Sequence, residues 1–118
     1  MIKLEVWKDI KGYEGSYQVS NYGNVRSLDR YILVNGHERL IKGCRLRKRV
    51  NHKTKYVDVN LYKNGIRKAY HIHRLVAMMF IDNYNEKLEV NHIDRCKLNN
   101  NVENLEVCTH EHNMKHNI

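Results

Sequence analysis

The residues best equipped for chemistry lie in the last third of the chain. Asn91 and His92 stand side by side in the run Leu88-Glu89-Val90-Asn91-His92-Ile93-Asp94. Asn104 precedes a second short run, Leu105-Glu106-Val107-Cys108, and His112, Asn113, His116 and Asn117 follow. Amide oxygens are hard donors of the kind a divalent cation accepts, and an imidazole can take a proton from water. No Gly-rich phosphate loop and no Ser-His-Asp or Cys-His nucleophile pair can be assigned.

The elements that must position these groups follow from periodicity. Leu88, Val90 and His92 share one face of a strand, and Glu89, Asn91 and Ile93 share the other. Asp94 to Asn101 is rich in residues that bond their own backbone, so it reads as a polar loop. Asn104, Glu106 and Cys108 alternate with Leu105 and Val107 as a second strand. Thr109 is a helix cap, with Glu111 in a favourable first turn. A strand, a loop, a strand and a helix bring Asn91 and His92 opposite the His112, Asn113, His116 and Asn117 segment.

Upstream, Tyr56 to Tyr62 and Ile66 to Ile72 flank Asn64-Gly65 and predict a hairpin. His73 to Ile81 reads as a helix, apolar at Leu75, Val76, Met79 and Phe80, with His73 packed or bonded in the scaffold. Three glycines between Val6 and Leu28 separate short aromatic and β-branched runs, as in a small twisted sheet. Trp7, Tyr13, Tyr17 and Val19 make its core, while Lys8, Lys11 and Arg26 are placed for phosphate contact. Asp29 to Lys42 is polar and irregular, with a turn at Asn35-Gly36. Cys44 to Val50, read as a strand, puts Arg45, Arg47 and Arg49 on one face as a basic stripe that can follow a phosphate backbone.

Composition narrows the partner. The chain of 118 residues carries 21 Lys and Arg against 13 Asp and Glu, a net charge of +8. That favours a polyanion, and nucleic acid over membrane, since no basic amphipathic helix or long apolar run is visible. No signal-peptide pattern is visible at the first residues, which places the protein in the cytoplasm. Cys44, Cys96 and Cys108 form no C-x-x-C pair, as expected of reduced thiols. Cys96, Cys108, His112 and His116 lack the short cysteine knuckle of a structural zinc site, so zinc is not expected. His112 and His116 share a helix face and are an alternative transition-metal pair.

Val90-Asn91-His92-Ile93-Asp94, Asn99-Asn100, Asn104-Leu105 and Thr109 to Asn113 together resemble the HNH endonucleases, in particular the phage and intron-encoded homing enzymes. His-Arg-Leu-Val-Ala at 73–77, followed by Phe80, recurs in that family. Trp7, Asp9, Ile10, Gly12, Tyr13, Glu14, Gly15, Tyr17, Val19, Ser20, Asn21, Gly23, Val25 and Ser27 resemble the DNA-binding module at the N-terminus of such enzymes. The resemblance implies an α+β fold: a small antiparallel β module that binds DNA in residues 1–50, then a nuclease domain in residues 51–118 made of the hairpin, the scaffold helix and a ββα-metal motif.

It implies further that His92 is the general base and that Asn104 ties the loop to the strand and aims His92. Asn91 and Asn113 would hold one Mg²⁺ or Mn²⁺ ion, with Asn91 standing where many members carry Asp. His116 would touch a phosphate. The expected activity is hydrolysis of duplex DNA to 5′-phosphate and 3′-hydroxyl, by a monomer or homodimer, in a bacterial or phage-infected cell. A non-catalytic DNA-binding protein descended from such a nuclease is the second reading.

Overall fold

In a computed structural model, residues 4–111 are described. Asn113, His112, His116 and Asn117, and with them the proposed second metal ligand and phosphate contact, lie outside these residues. Helical backbone begins at His110, directly after Thr109.

The chain builds small antiparallel sheets and one helix. The first sheet joins β1 (Trp7–Asp9), β2 (Tyr17–Ser20) and β3 (Val25–Ser27). Its residues lock one another in place. Asp9 accepts from the Gly15 N–H at 3.1 Å and from Gln18 Nε2 at 2.7 Å, and Gln18 Oε1 accepts from Arg26 Nε and Nη2. The Arg26 guanidinium lies 4.1 Å from the Trp7 ring.

Next comes a ribbon, β4 (Arg30–Val34) with β5 (His37–Ile41), where the sequence reads as irregular. Asn35 and Gly36 take φ of 52° and 79°, the left-handed pair that a two-residue hairpin turn needs. All of its strand residues except Ile41 are exposed, so the burial alternation that marks a strand in sequence is missing.

The expected strand over 44–50 is broken. Arg45 makes a single bridge to Arg26, and only β6 (Arg49–Val50) pairs regularly, with β7 (Val57–Lys63). Arg45 turns back to Glu5 at 3.3 Å and over Trp7, and Lys48 donates to Asn24 Oδ1. These contacts scatter the arginines, so no continuous stripe forms.

β7 and β8 (Ile66–His71) form the expected hairpin, with φ of 53° and 77° at Asn64 and Gly65. Helix α1 (Ile72–Phe80) follows at once and buries Ile72, His73, Leu75, Val76 and Ala77. One cluster contains Ile10, Tyr17, Val19 and Val25 from the first sheet together with Leu61, Ile72, Leu75, Val76, Val90 and Leu105. The N-terminal sheet therefore packs on the same core as the C-terminal hairpin, β9 (Glu89–His92) against β10 (Leu105–Cys108). Lys8 reinforces this join, donating to the Met79 carbonyl at 3.1 Å and lying over Phe80. Among the described residues no helix is long and apolar enough to cross a membrane.

Candidate active site

β9 and β10 pair in a register that sets Asn91 opposite Glu106 and His92 opposite Leu105. Between them runs the loop 93–104, and Asn104 closes it. Asn104, expected as the first residue of the second strand, falls instead in a 3-10 turn (Val102–Asn104), one position before β10. Its Nδ2 donates to Asp94 Oδ1 and to the Asn99 carbonyl, both at 2.9 Å, and its Oδ1 accepts from the Asp94 N–H at 3.0 Å. Its carbonyl accepts from Ile93 N at 2.7 Å. The Asn99 amide, the Cys96 N–H and Asn104 hold the Asp94 carboxyl below the usual range.

One side chain thus ties both ends of the loop. For Asn104→Ala we expect Tm to fall, by the equivalent of about 1–3 kcal/mol. Amide exchange at Asp94 should quicken in the same variant, read by hydrogen–deuterium exchange.

His92 is half-buried, and its Nε2 lies 2.7 Å from Asn100 Oδ1. An amide oxygen can only accept, so Nε2 donates in this bond, and in the neutral ring Nδ1 is then the acceptor. Asn100 is itself buried and backed by the first sheet. A Cβ placed on Gly23 would stand 2.8 Å from Asn100 Cβ, and Val102 N donates to the Asn21 carbonyl at 2.8 Å. The Ser20–Asn24 turn therefore supports the residue that fixes the imidazole. Asn91 Nδ2 donates to Cys108 Sγ at 3.1 Å, which directs its Oδ1 away from the sulfur.

Beside His92 lies a group of rings. Tyr56 stacks on His73 with centroids 4.7 Å apart, and His73 lies 5.1 Å from His92 and 5.4 Å from His71. His71 Nδ1 bonds the Asp58 carboxylate. His73 is 4% exposed, and its Nδ1 has no hydrogen-bond partner among the described residues. Burial, with the nearby His92, His71, Arg74 and Lys97, pushes its pKa down to about 3 from 6.5.

The unfolded chain therefore binds a proton that the fold refuses, between pH 6.5 and about 3. Stability should be level above that window and fall with acid inside it, by up to about 1.4 kcal/mol per pH unit. His73→Phe should flatten the slope in urea unfolding at pH 4 to 7 relative to wild type.

An open groove of about 730 Å³ lies on the outer face of β6–β8, lined by Arg49, His52, Lys53, Asp58 and Arg67 among others. Of the expected phosphate contacts, Lys8, Lys11, Arg45, Arg47 and Arg49 are exposed and Arg26 is partly buried; Lys8, Arg26 and Arg45 also make the internal contacts described above. Sequence reading did not single out Tyr56, Asn100 or Arg67 for the site. Asn100 did lie within the quoted motif, but only the folded turn at Gly23 shows what it supports.

The β9–β10 hairpin, with His92 bonded to Asn100 and its loop closed by Asn104, lies within the segment that matches proteins of the HNH class. Residues 70–115 match the HNH endonuclease family model, and residues 5–62 match the NUMOD4 motif. The chain is 41% identical to DNA endonuclease I-HmuI of Bacillus phage SP01 over 92% of its own length and 55% of that protein. It is 33% identical to H-N-H endonuclease F-TflII of Escherichia phage T5, over 97% of its length and 53% of the relative's. A solved structure titled for DNA binding and cleavage by the HNH homing endonuclease I-HmuI superposes with a TM-score of 0.75 and 39% identity, across 94% of this chain and 56% of that one. The chain belongs to the HNH homing endonuclease family, and it spans just over half the length of these relatives.

Proposed function

We propose that this chain hydrolyses a phosphodiester bond of duplex DNA with a divalent cation, by the HNH mechanism. The observation that carries the reading is the bond between His92 Nε2 and Asn100 Oδ1, which in the neutral ring leaves Nδ1 to accept a proton. Nδ1 takes a proton from water, the hydroxide oxygen attacks phosphorus, and the P–O3′ bond breaks. The 3′ oxygen leaves and takes a proton from solvent, giving a 3′-hydroxyl and a 5′-phosphate. Asn104 keeps the loop and strand in register while this happens.

The donor set suits a hard cation. Mg²⁺ needs few protein ligands because it keeps waters and takes phosphate oxygens, so Asn91 with Asn113 would suffice. When bound, the ion supplies positive charge to the phosphate and the leaving oxygen. Mn²⁺ could serve in the same place.

Residues 1–50, with the groove at Arg49, Lys53 and Arg67, would grip the duplex, and residues 51–118 would cut it. Lys11 and Arg47 would add phosphate contacts, and His116 another. Lys8, Arg26 and Arg45 would act chiefly by shaping the module that does so.

Supercoiled plasmid incubated with Mg²⁺, with Mn²⁺ and with EDTA tests the proposal. Nicked or linear product that disappears with EDTA is the expected result. Plasmid that is shifted on a gel but uncut in either metal would replace the nuclease with a DNA-binding protein, for which the neutral amide at Asn91 is the supporting feature.

A further inference from the structure

We propose that Tyr56 and His73 form a ring platform that sets the plane of the His92 imidazole, making both of them positioning residues for the general base. The inference rests on the nuclease reading but concerns residues that reading leaves unused.

Hydrogen bonding alone does not orient His92. The bond from Nε2 to Asn100 Oδ1 fixes one atom of the ring and its tautomer, yet the ring can still swing about that anchor. Swinging moves Nδ1, the atom that must face the attacking water. The contacts that oppose the swing come from two rings. His73 meets His92 at 5.1 Å with planes inclined by 53°, and Tyr56 lies 6.1 Å away at 25°. Tyr56 and His73 are stacked on each other at 4.7 Å and 28°, so they move as one surface.

The platform is itself held. His73 sits in the first turn of α1, inside the core, and its far side meets His71, which Asp58 anchors. Lys97, from the loop that Asn104 closes, lies 4.5 Å over the Tyr56 ring and donates to the Thr54 carbonyl at 2.7 Å. Tyr56 closes a tight turn whose other end, Asn51, donates from its N–H to the Tyr56 carbonyl at 2.9 Å.

The choice of histidine at 73 also calls for an explanation. A buried imidazole nitrogen without a partner is a cost that an apolar side chain at the same place would avoid. A flat ring stacked on Tyr56 and touching His92 supplies a reason beyond filling space. Tyr56 belongs to the segment matching the NUMOD4 motif, and His73 and His92 to the HNH segment, so the platform joins the two.

The test uses the full chain with Tyr56→Leu, Tyr56→Phe, His73→Leu and His73→Phe. Single-turnover cleavage at saturating DNA is measured beside the DNA Kd, Tm, and the ¹⁵N ring shifts of His92. The leucine variants should lose about 10- to 100-fold in cleavage rate with Kd within about twofold, because a misaimed base slows chemistry without loosening binding. Their His92 should keep the Nε2–H tautomer that Asn100 fixes, while its ring signals shift and broaden as the freed ring swings. The phenylalanine variants, which restore a ring, should recover most of the rate.

Folded leucine variants that cleave like wild type with unmoved His92 signals would overturn the platform. So would phenylalanine variants as slow as leucine ones, or rate losses matched by equal losses of Kd. Should His73→Leu fail to fold, half-buried Tyr56→Leu carries the same comparison. If the wild type cuts no DNA, the nuclease reading fails, and the His92 ring shifts still decide the platform.

Discussion

His92→Gln is expected to leave DNA binding intact and to lower the cleavage rate by between about 10²- and 10⁴-fold, the range a positioned general base supplies. Glutamine is the informative replacement. Its amide can still donate to Asn100 Oδ1, so the buried Asn100 keeps a partner, while nothing remains that takes a proton near neutral pH. His92→Ala should lose as much rate and also some stability, because it strands that amide oxygen at a cost of about 1–3 kcal/mol. Single-turnover rates, gel-shift Kd and urea midpoints separate these effects. A His92→Gln protein that still cut plasmid at the wild-type rate would remove His92 from the mechanism.

The second large effect is expected far from β9 in sequence, at Gly23→Ala. Gly23 has φ +86°, where an L side chain is strained by about 1–3 kcal/mol. Its new Cβ would also meet Asn100 Cβ at 2.8 Å and the Asn100 carbonyl at 3.0 Å, closer than such atoms approach. Either Asn100 retreats from His92 Nε2 or the Ser20–Asn24 turn lifts from the core. We expect a clear drop in Tm and a rate loss on the order of 10²-fold, since small displacements of a base are costly.

Gly12→Ala is the control. Gly12 has φ +89° but nothing within 4 Å of the added carbon, so only the backbone strain applies. That variant should lose stability and keep its rate at saturating DNA. Equal rates in the two variants would mean that the Gly23 contact does not govern Asn100.

This coupling explains why the N-terminal sheet cannot be treated as an appendage. Asp9, Gln18, Arg26 and Trp7 interlock to shape a small sheet, and the β2–β3 turn of that sheet then supports the loop that carries Asn100. Arg26 and Lys8, sequence candidates for phosphate contact, are bound up in that architecture. Further exposed positive charge lies on Arg47 and around the groove at Arg49, Lys53 and Arg67.

What the sequence alone determined is local or motif-borne. Asn64-Gly65 between alternating apolar residues dictates the β7–β8 hairpin, because two successive left-handed residues suit that turn and few residue pairs adopt it. The spacing of Asn91-His92, Asn104 and the residues after Thr109 was sufficient to name the family, and the +8 charge pointed to a polyanion. The β4–β5 ribbon escaped because both its faces are exposed, so no burial pattern marks it. The arginine stripe was overestimated because alternation predicts a face only where a strand stays paired, and 44–50 does not. Asn100, Tyr56 and His73 acquire their places only by long-range contact, with Gly23, with Lys97 and with His92. Local periodicity cannot encode which side chains meet across the core; the shared packing of both segments on Leu61, Ile72 and Val76 decides it.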